Sequence, residues 1–351
     1  MSWLDNPNVQ NRLKEKIEQR EKQQKLSRFD ARKIYESITG RVIGQDVIAA
    51  RIARLIQQRA AAMRFNRPLT TMLISGPTGT GKTELAKSLA SAVFGDEDSY
   101  LCRIDCGTLG PSESDLASIR GSSRVYQNSS RGMLPEFLIR AGQGVILFDE
   151  IEKAMPDENA PIAKMLLALL DEGRITSLYD METYDASDCI IVLTSNARQR
   201  ELGKLAEQHF AKLELPDNPF DELPDLYDLD EAVKGILVDS FTPEFLGRLD
   251  FASTVAPMGA MDKARLVEVL LTRLALQYDV AITGIDEAFL AFIAEAVDRF
   301  GSSNVRGVRN WLENQTSRAL THAAEEGWKN VTAYWDGRAV SFRPVNAKSG
   351  S

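Results

Sequence analysis

Cysteine and histidine are scarce in this chain: three of one (Cys102, Cys106, Cys189) and two of the other (His209, His322) among 351 residues. Cys102 and Cys106 suggest half of a zinc site, but no second Cys/His pair completes four ligands, which argues against a structural zinc. Reduced, partly buried thiols are the expectation, and the odd count fits a reducing compartment. No uninterrupted apolar run approaches the ~20 residues a membrane-spanning helix needs. The first residues, MSWLDNPNVQNRLKEK, lack the basic-then-apolar order of a signal peptide. A soluble cytoplasmic protein with no membrane partner is expected. A net charge of −8 argues against a protein that coats nucleic acid or anionic lipid. That charge is uneven: residues 1–33 hold nine basic and five acidic side chains, whereas 201–232 hold ten acidic and two basic.

What is present is alternation. Residues 9–26 read as a helix with one thin apolar seam (Val9, Leu13, Ile17), either a solvated leader or an arm for a partner. From about residue 30 the pattern turns globular, and helical spacing falls on Val47, Ala50, Ile52, Leu55 and Ile56. Four short apolar runs come next, TTMLISGP, SYLCRIDC, GVILFDE and CIIVLTSN, with helical patterns among them. Buried strands alternating with helices predict an α/β fold with a parallel sheet flanked by helices. Residues 197–240 combine Pro216, Pro219 and Pro224 with clustered acids, and read as a long loop or partly helical insertion. Beyond 259 the pattern is mostly helical and closes in two strands around Asp336-Gly337, a small α-rich lid ending in a hairpin. The expected domains are therefore a helical leader at 1–37, a large α/β domain at 38–256 that includes the acidic insertion 197–240, and a small α-rich lid at 257–351.

One motif dominates the chemistry. Gly76-Pro77-Thr78-Gly79-Thr80-Gly81-Lys82-Thr83 matches G-x-x-x-x-G-K-[ST], after a predicted strand and opening a predicted helix. Its glycines let backbone N–H groups turn inward around phosphate oxygens at a helix N-terminus. Lys82 would reach the outer phosphates, and the Thr83 hydroxyl would ligate Mg²⁺. Asp149 ends VILFDE, at the carboxyl end of a buried strand where α/β sheets place ligands, and would complete the metal shell. Glu150 beside it would polarise the attacking water. Asn196 ends CIIVLTSN in the same way; it reads either as an amide that orients the water or as a helix cap. ATP and Mg²⁺ are the expected ligands.

Taken together, these blocks resemble the AAA+ superfamily, and within it the second ATPase module of Clp-type unfoldases and disaggregases. The similar strings are RVIGQ (41–45), RPLTTMLISGPTGTGKTELAKSLA (67–90), ILFDEIEKAMPD (146–157), LLDEGRIT (169–176), TSN (194–196), FTPEFLGRLD (241–250) and VRGVRNWLE (305–313). They run in order over roughly 38–345. The resemblance implies that Val42 and Ile43 line the adenine pocket. It makes Arg248 the finger that reaches a neighbour's nucleotide, and Arg306 the second sensor, directed at the subunit's own phosphates. It implies a homo-oligomeric ring, usually hexameric, with ATP between subunits, and a protein substrate or adaptor as partner. Since it covers one module, recruitment of substrate would fall to residues 1–37 or to a separate adaptor.

Departures from the family pattern are as informative. The first pore loop usually carries Gly-aromatic-Val-Gly; here the stretch is Gly121-Ser122-Ser123-Arg124-Val125-Tyr126-Gln127-Asn128, so Tyr126, with Arg124 and Val125, is the gripping candidate. Residues 116–135 hold Arg120, Arg124 and Arg131 and no acid, a surface for nucleic acid, for acidic peptide or for water alone. Gly247 replaces the Asn usual before the finger. The second pore loop region, Ser177 to Ala186, carries Asp180, Glu182 and Asp185 in place of Gly and Arg. Peptidase-docking relatives show an aliphatic-Gly-hydrophobic tripeptide, whose nearest counterpart here, Leu202-Gly203-Lys204, argues against a partner peptidase. The acidic stretch either binds a basic partner or is solvated. These residues read together as an ATP-hydrolysing ring motor that remodels protein through a central channel. An ATP-dependent nucleic-acid-binding regulator is the alternative, and a scaffold with a structural nucleotide is a third reading.

Overall fold

Apolar runs bounded by polar residues become the strands of one parallel sheet. The computed structural model describes residues 29–62, 67–109, 112–125, 129–155, 160–211, 219–223, 225–290, 292–293 and 305–345. The helix expected over 9–26 lies outside them. Contacts divide the chain into a larger unit, which ends at Ala256 and is interrupted at Pro77–Gly81, and a smaller one made of Pro77–Gly81 and the residues from Pro257 onward.

In the larger unit, β1 (Thr70–Ser75), β2 (Leu101–Asp105), β3 (Gly144–Asp149), β6 (Cys189–Ser195) and β7 (Phe251–Thr254) form a sheet ordered β2-β3-β6-β1-β7. Two short strands, β4 (Arg174–Thr176) and β5 (Thr183–Asp185), pair separately as an antiparallel hairpin. Helices α1 (Ala31–Thr39), α2 (Asp46–Ala61), α3 (Lys82–Leu89), α4 (Glu113–Arg120), α5 (Met133–Ala141), α6 (Pro161–Glu172), α7 (Gln199–Phe210), α8 (Tyr227–Leu237) and the short α9 (Pro243–Gly247) complete it. β1, β3 and β6 are buried at every residue because helices cover both faces. Alternate residues of a strand face opposite sides. Leu73, Ile146, Phe148, Ile191 and Leu193 thus join one apolar cluster, while Met72, Ile74, Val145, Leu147 and Val192 join the other. The register sets Asp105 against Asp149 and Ser75 against both Ser195 and Thr254, so all five strands end along one edge. The turns that leave the strands meet along that edge.

Two boundaries differ from the sequence reading. Residues 31–37, placed in the leader, belong to α1, which Asp30 caps by accepting hydrogen bonds from the Arg32 and Lys33 N–H groups. Its Ile34 and Ile38 are buried in the larger unit's core with Ile48 and Ile52 of α2. The stretch 197–240, read as a long loop or partly helical insertion, is largely helical over its described residues. It forms α7 and α8, whose Leu202, Ala206, Leu229, Val233 and Leu237 lie in the main core cluster. Three of its acids pair with arginines: Asp230 with Arg51, Asp221 with Arg32, and Asp239 with Arg198 at 3.2 Å. The clustered charge suggested a solvated segment, but the apolar side chains spaced along it decide where it packs.

The smaller unit holds α10 (Ala260–Gln277), β8 (Ala281–Ile285), α11 (Val305–Glu325), β9 (Asn330–Trp335) and β10 (Val340–Pro344). β9 and β10 are the expected hairpin; its turn has Gly337 at φ 92° and Asp336 accepting from the Arg338 and Ala339 N–H groups. β8 was unforeseen, since AITGI is too short and too weakly alternating to read as a strand. It runs parallel to β9 and makes the hairpin a three-stranded sheet. Phe292 stacks on Trp335 and Trp311, with ring centres 4.2 and 5.0 Å apart.

Candidate nucleotide site

β1 ends at Ser75, and the backbone leaves the sheet through Gly76 at φ 132°. A β-carbon there would lie 2.5 Å from Val255 Cγ2, so only glycine fits against β7. Gly79 and Gly81 are left-handed, and Thr80 Oγ1 donates to Pro77 O at 2.9 Å, which closes the loop just before α3 begins. The loop is thus shaped to turn N–H groups inward. The N–H of Val305, first residue of α11, donates to Gly79 O at 2.9 Å. Arg306 comes next in that helix, but its side chain lies outside the described ones.

Lys82 is buried, and its Nζ donates to Gly76 O at 2.8 Å and to Asn196 Oδ1 at 3.0 Å. Burial lowers its pKa to about 8, and Glu152, Asp149 and Glu150 oppose that shift. Asp149, 6% exposed, collects cations and hydroxyls: Thr83 Oγ1 lies 3.2 Å from both carboxylate oxygens, Thr194 Oγ1 donates to Oδ1, and Arg103 Nη2 reaches Oδ2 at 2.8 Å. A hydroxyl and a carboxylate in contact are the hard oxygen donors Mg²⁺ prefers, so these residues fit that ion.

Glu150 adopts a left-handed conformation, φ 57° and ψ 48°, rare for a side-chain-bearing residue and typical of constrained sites. Its N–H donates to Thr194 Oγ1 at 3.1 Å. Its carboxylate receives Asn196 Nδ2 on Oε1 at 3.2 Å and Lys153 Nζ on Oε2 at 2.6 Å. The Asn196 amide therefore accepts from Lys82 and donates to Glu150, while its own N–H is held by Glu152 Oε1 at 3.1 Å. Sequence reasoning picked Asp149, Glu150 and Asn196 but missed their supports, Thr194, Arg103, Glu152 and Lys153. Thr194 lies within TSN, yet its place between Asp149 and the Glu150 N–H comes from the parallel register of β3 and β6.

Other expected residues fall elsewhere. Val42 is buried in the apolar cluster that includes Leu85 of α3 and Val255, and Ile43 is half-buried. Arg248 sits at the end of α9, where Nε contacts Asp171 Oδ2 at 2.5 Å and Nη1 contacts Glu244 Oε1 at 2.8 Å. Tyr126 is outside the described residues. Val125 is 88% exposed, and Arg124 lies over the Tyr179 ring, 4.5 Å from its centre.

The base of that loop is a tight crossing. Gly121 and Gly132 both have φ 89°; a β-carbon on Gly132 would lie 2.2 Å from Gly121 N, and one on Gly121 would lie 2.4 Å from Arg131 O. The β4–β5 hairpin is tied to it: Arg131 Nε contacts Asp180 Oδ2 at 2.8 Å, Ser177 Oγ donates to Arg131 O at 3.1 Å, and the Leu178 N–H donates to Arg120 O at 3.0 Å. Desolvation pushes the Asp180 pKa up, but hydrogen bonds from Tyr184, Arg131 and the Glu182 N–H outweigh it and bring it to about 2. Asp180, paired with Arg131 of the first loop, therefore serves as a strut between the two loops.

A family model for the AAA domain (Cdc48 subfamily) matches residues 67–252, more than half of the chain. The chain belongs to this AAA family. Its relatives place it among the Clp type. It is 31% identical to the ClpC/MecB negative regulator of genetic competence of Bacillus subtilis, over 80% of this chain and 34% of that protein. It is 33% identical to the chaperone protein ClpB 2 of a Nostoc species, over 80% of this chain and 30% of that one. It thus spans about a third of these relatives. AmiB of Pseudomonas aeruginosa, described as an ATP-dependent protease ATP-binding subunit-like protein, is 31% identical over 88% of this chain and 84% of its own. A closed-state cryo-EM reconstruction of Hsp104 with ATPγS and FITC casein superposes with a TM-score of 0.70 at 23% identity, over 90% of this chain and 51% of that one, which is a likeness of fold.

Proposed function

We propose that the chain is an ATP-hydrolysing motor that assembles head to tail into a ring, six subunits by the family's habit, and remodels protein passed through the ring's channel. The observation that carries the hydrolytic half is the Asn196 amide, bonded at once to Lys82 and Glu150. A group that holds the phosphate-binding cation with one atom and the water-activating carboxylate with the other couples occupancy of the site to orientation of the base.

In this reading the loop from Gly76 to Gly81 cradles the phosphates, and Lys82 leaves Gly76 O to meet the outer ones. Thr83 and Asp149 hold Mg²⁺, which when bound offsets phosphate charge. Glu150 accepts the proton of the attacking water, and Asn196 keeps its Oε1 oriented. Val42 and Ile43 border the base, Arg306 has the role of the second sensor, and Arg248 serves the adjoining subunit. The exposed turn at Arg124-Val125 and the adjoining Tyr126 would touch the translocated chain. The ties between that loop's glycine neck and the β4–β5 hairpin support the two acting as one unit.

Relatives named as chaperones support protein over nucleic acid as the substrate. So does the pairing of Arg131 with Asp180, which offsets one cation of the surface that suggested nucleic acid. Leu202-Gly203-Lys204 lies within α7 with Leu202 buried, an unsuitable plug for a peptidase socket. The test is steady-state ATP hydrolysis by the wild type and Glu150→Gln, alone, with an unfolded protein, and with single- or double-stranded DNA. Stimulation by unfolded protein, lost in Glu150→Gln, is expected. Stimulation by DNA alone would overturn the protein-remodelling reading.

A further inference from the structure

Arg248 is not idle in the single chain. Nε meets Asp171 at the C-terminal end of α6, Nη1 meets Glu244 one turn back in α9, and Nη1 also approaches Glu244 O at 3.4 Å. Its side chain is 21% exposed, against 44% for Asp171 and 65% for Glu244, so two accessible carboxylates grip a largely sheltered cation. The trio carries a net charge of −1, and in that state it would repel a polyphosphate. For Arg248 to act on a phosphate it must give up at least one of these carboxylates. Nothing in the local sequence hinders the exchange: Gly247 precedes it with open space around its α-carbon, and exposed ion pairs are weak.

We propose that Asp171, with Glu244, is a latch on Arg248: it holds the guanidinium on its own subunit until the phosphates of nucleotide bound in a second copy of this chain displace it. This rests on the reading of Arg248 as a finger acting between subunits. Asp171 is then a positioning residue, and its effect falls on assembly rather than on the chemical step. Multiple phosphate charges and a bidentate geometry favour the guanidinium's move, whereas a lone exposed carboxylate holds it only weakly. The latch also keeps an unassembled subunit from presenting a bare cation. Asp171 lies three residues before β4, so the exchange happens at the root of the hairpin that braces the 121–132 loop.

The experiment measures specific ATPase activity against protein concentration, with sedimentation velocity in ATPγS, for the wild type, Asp171→Asn, Glu244→Gln, Arg248→Ala and Asp171→Asn/Arg248→Ala. The latch predicts that Asp171→Asn lowers the half-maximal protein concentration two- to fivefold and leaves the plateau kcat within twofold. Glu244→Gln should do the same to a smaller extent. In the Arg248→Ala background, removing Asp171 should change nothing further. An unchanged or raised midpoint in both single carboxylate variants would overturn the latch. So would an equal shift in the Arg248→Ala background, since the effect would then be general charge. If Arg248→Ala itself matches the wild type in plateau and midpoint, the finger role fails and the latch with it; a defective Arg248→Ala with unshifted carboxylate variants removes the latch alone.

Discussion

Replacing Asn196 by Ala deletes two hydrogen bonds to charged groups while sparing the backbone N–H that Glu152 holds, so the strand end should keep its place. Bonds of that kind contribute ~1.5–3 kcal/mol each. The one to Glu150 matters to the chemical step, and at about 1.4 kcal/mol per decade its loss should lower kcat by about 10- to 150-fold. The one to Lys82 matters to binding, but with nucleotide bound Lys82 has the phosphates as partners; affinity should weaken only about threefold. Asn196→Asp separates the two roles. It keeps an acceptor for Lys82 and sets a like charge 3.2 Å from Glu150 Oε1, so binding should survive while hydrolysis falls as far as in the Ala variant. Single-turnover hydrolysis and fluorescent-nucleotide titration read the two quantities apart. An Ala variant with hydrolysis within threefold of the wild type, but affinity weakened more than tenfold, would mean that Asn196 serves Lys82 alone.

Leu229→Ala, at a fully buried site on α8, should cost ~2–5 kcal/mol in chemical denaturation; a loss under ~0.5 kcal/mol would return this stretch to the periphery. Gly132→Ala should open the neck beside Gly121, since the left-handed backbone alone costs a side chain ~1–2 kcal/mol. Hydrogen exchange at the Ser122 N–H, which donates to Ser130 O, should quicken; unaltered exchange would count against a rigid neck. Burial raises the Cys102 and Cys106 thiols to about 12 and Cys189 higher still, and only the thiolate reacts. At pH 8 the folded protein should therefore leave all three unmodified by a disulfide reagent, and denaturant should release them; one fast-reacting native thiol would contradict the buried placement.

Much of the site was legible because its parts are local. The glycine loop, its lysine and the acids ending VILFDE lie within single strand-loop segments, where spacing alone reports geometry. The supports were not. Arg103 and Thr194 meet Asp149 only because β2 and β6 flank β3 in the sheet, and strand order is a long-range property that no short window encodes. The same holds for the 197–240 stretch. Its prolines and acids are loud local signals for a loop, yet Leu202, Ala206, Leu229 and Val233 recur at helical intervals and bury against the sheet's helices. The missed β8 is the converse case: its five residues become a strand only because β9, some 45 residues later, offers an edge.

These placements change what the net charge means. Ten acids in 201–232 seemed to await a basic partner or to lie in water, and less the stretch's two lysines they equal the whole chain's net charge of −8. Folding answers part of that: Arg51 and Arg32 neutralise Asp230 and Asp221, and Arg54 donates to the Phe220 and Asp221 carbonyls. These acids join α1 and α2 to the α7–α8 region instead of advertising a ligand. The loop at 121–132 shows the reverse. Read along the sequence it holds arginines and no acid, but in the fold Asp180, from the hairpin 50 residues on, pairs with Arg131, and the Tyr179 ring lies beneath the still exposed Arg124. Some members of both charge runs are therefore structural, and a partner argued from either must be sought in what they leave exposed, such as the Arg124-Val125 turn.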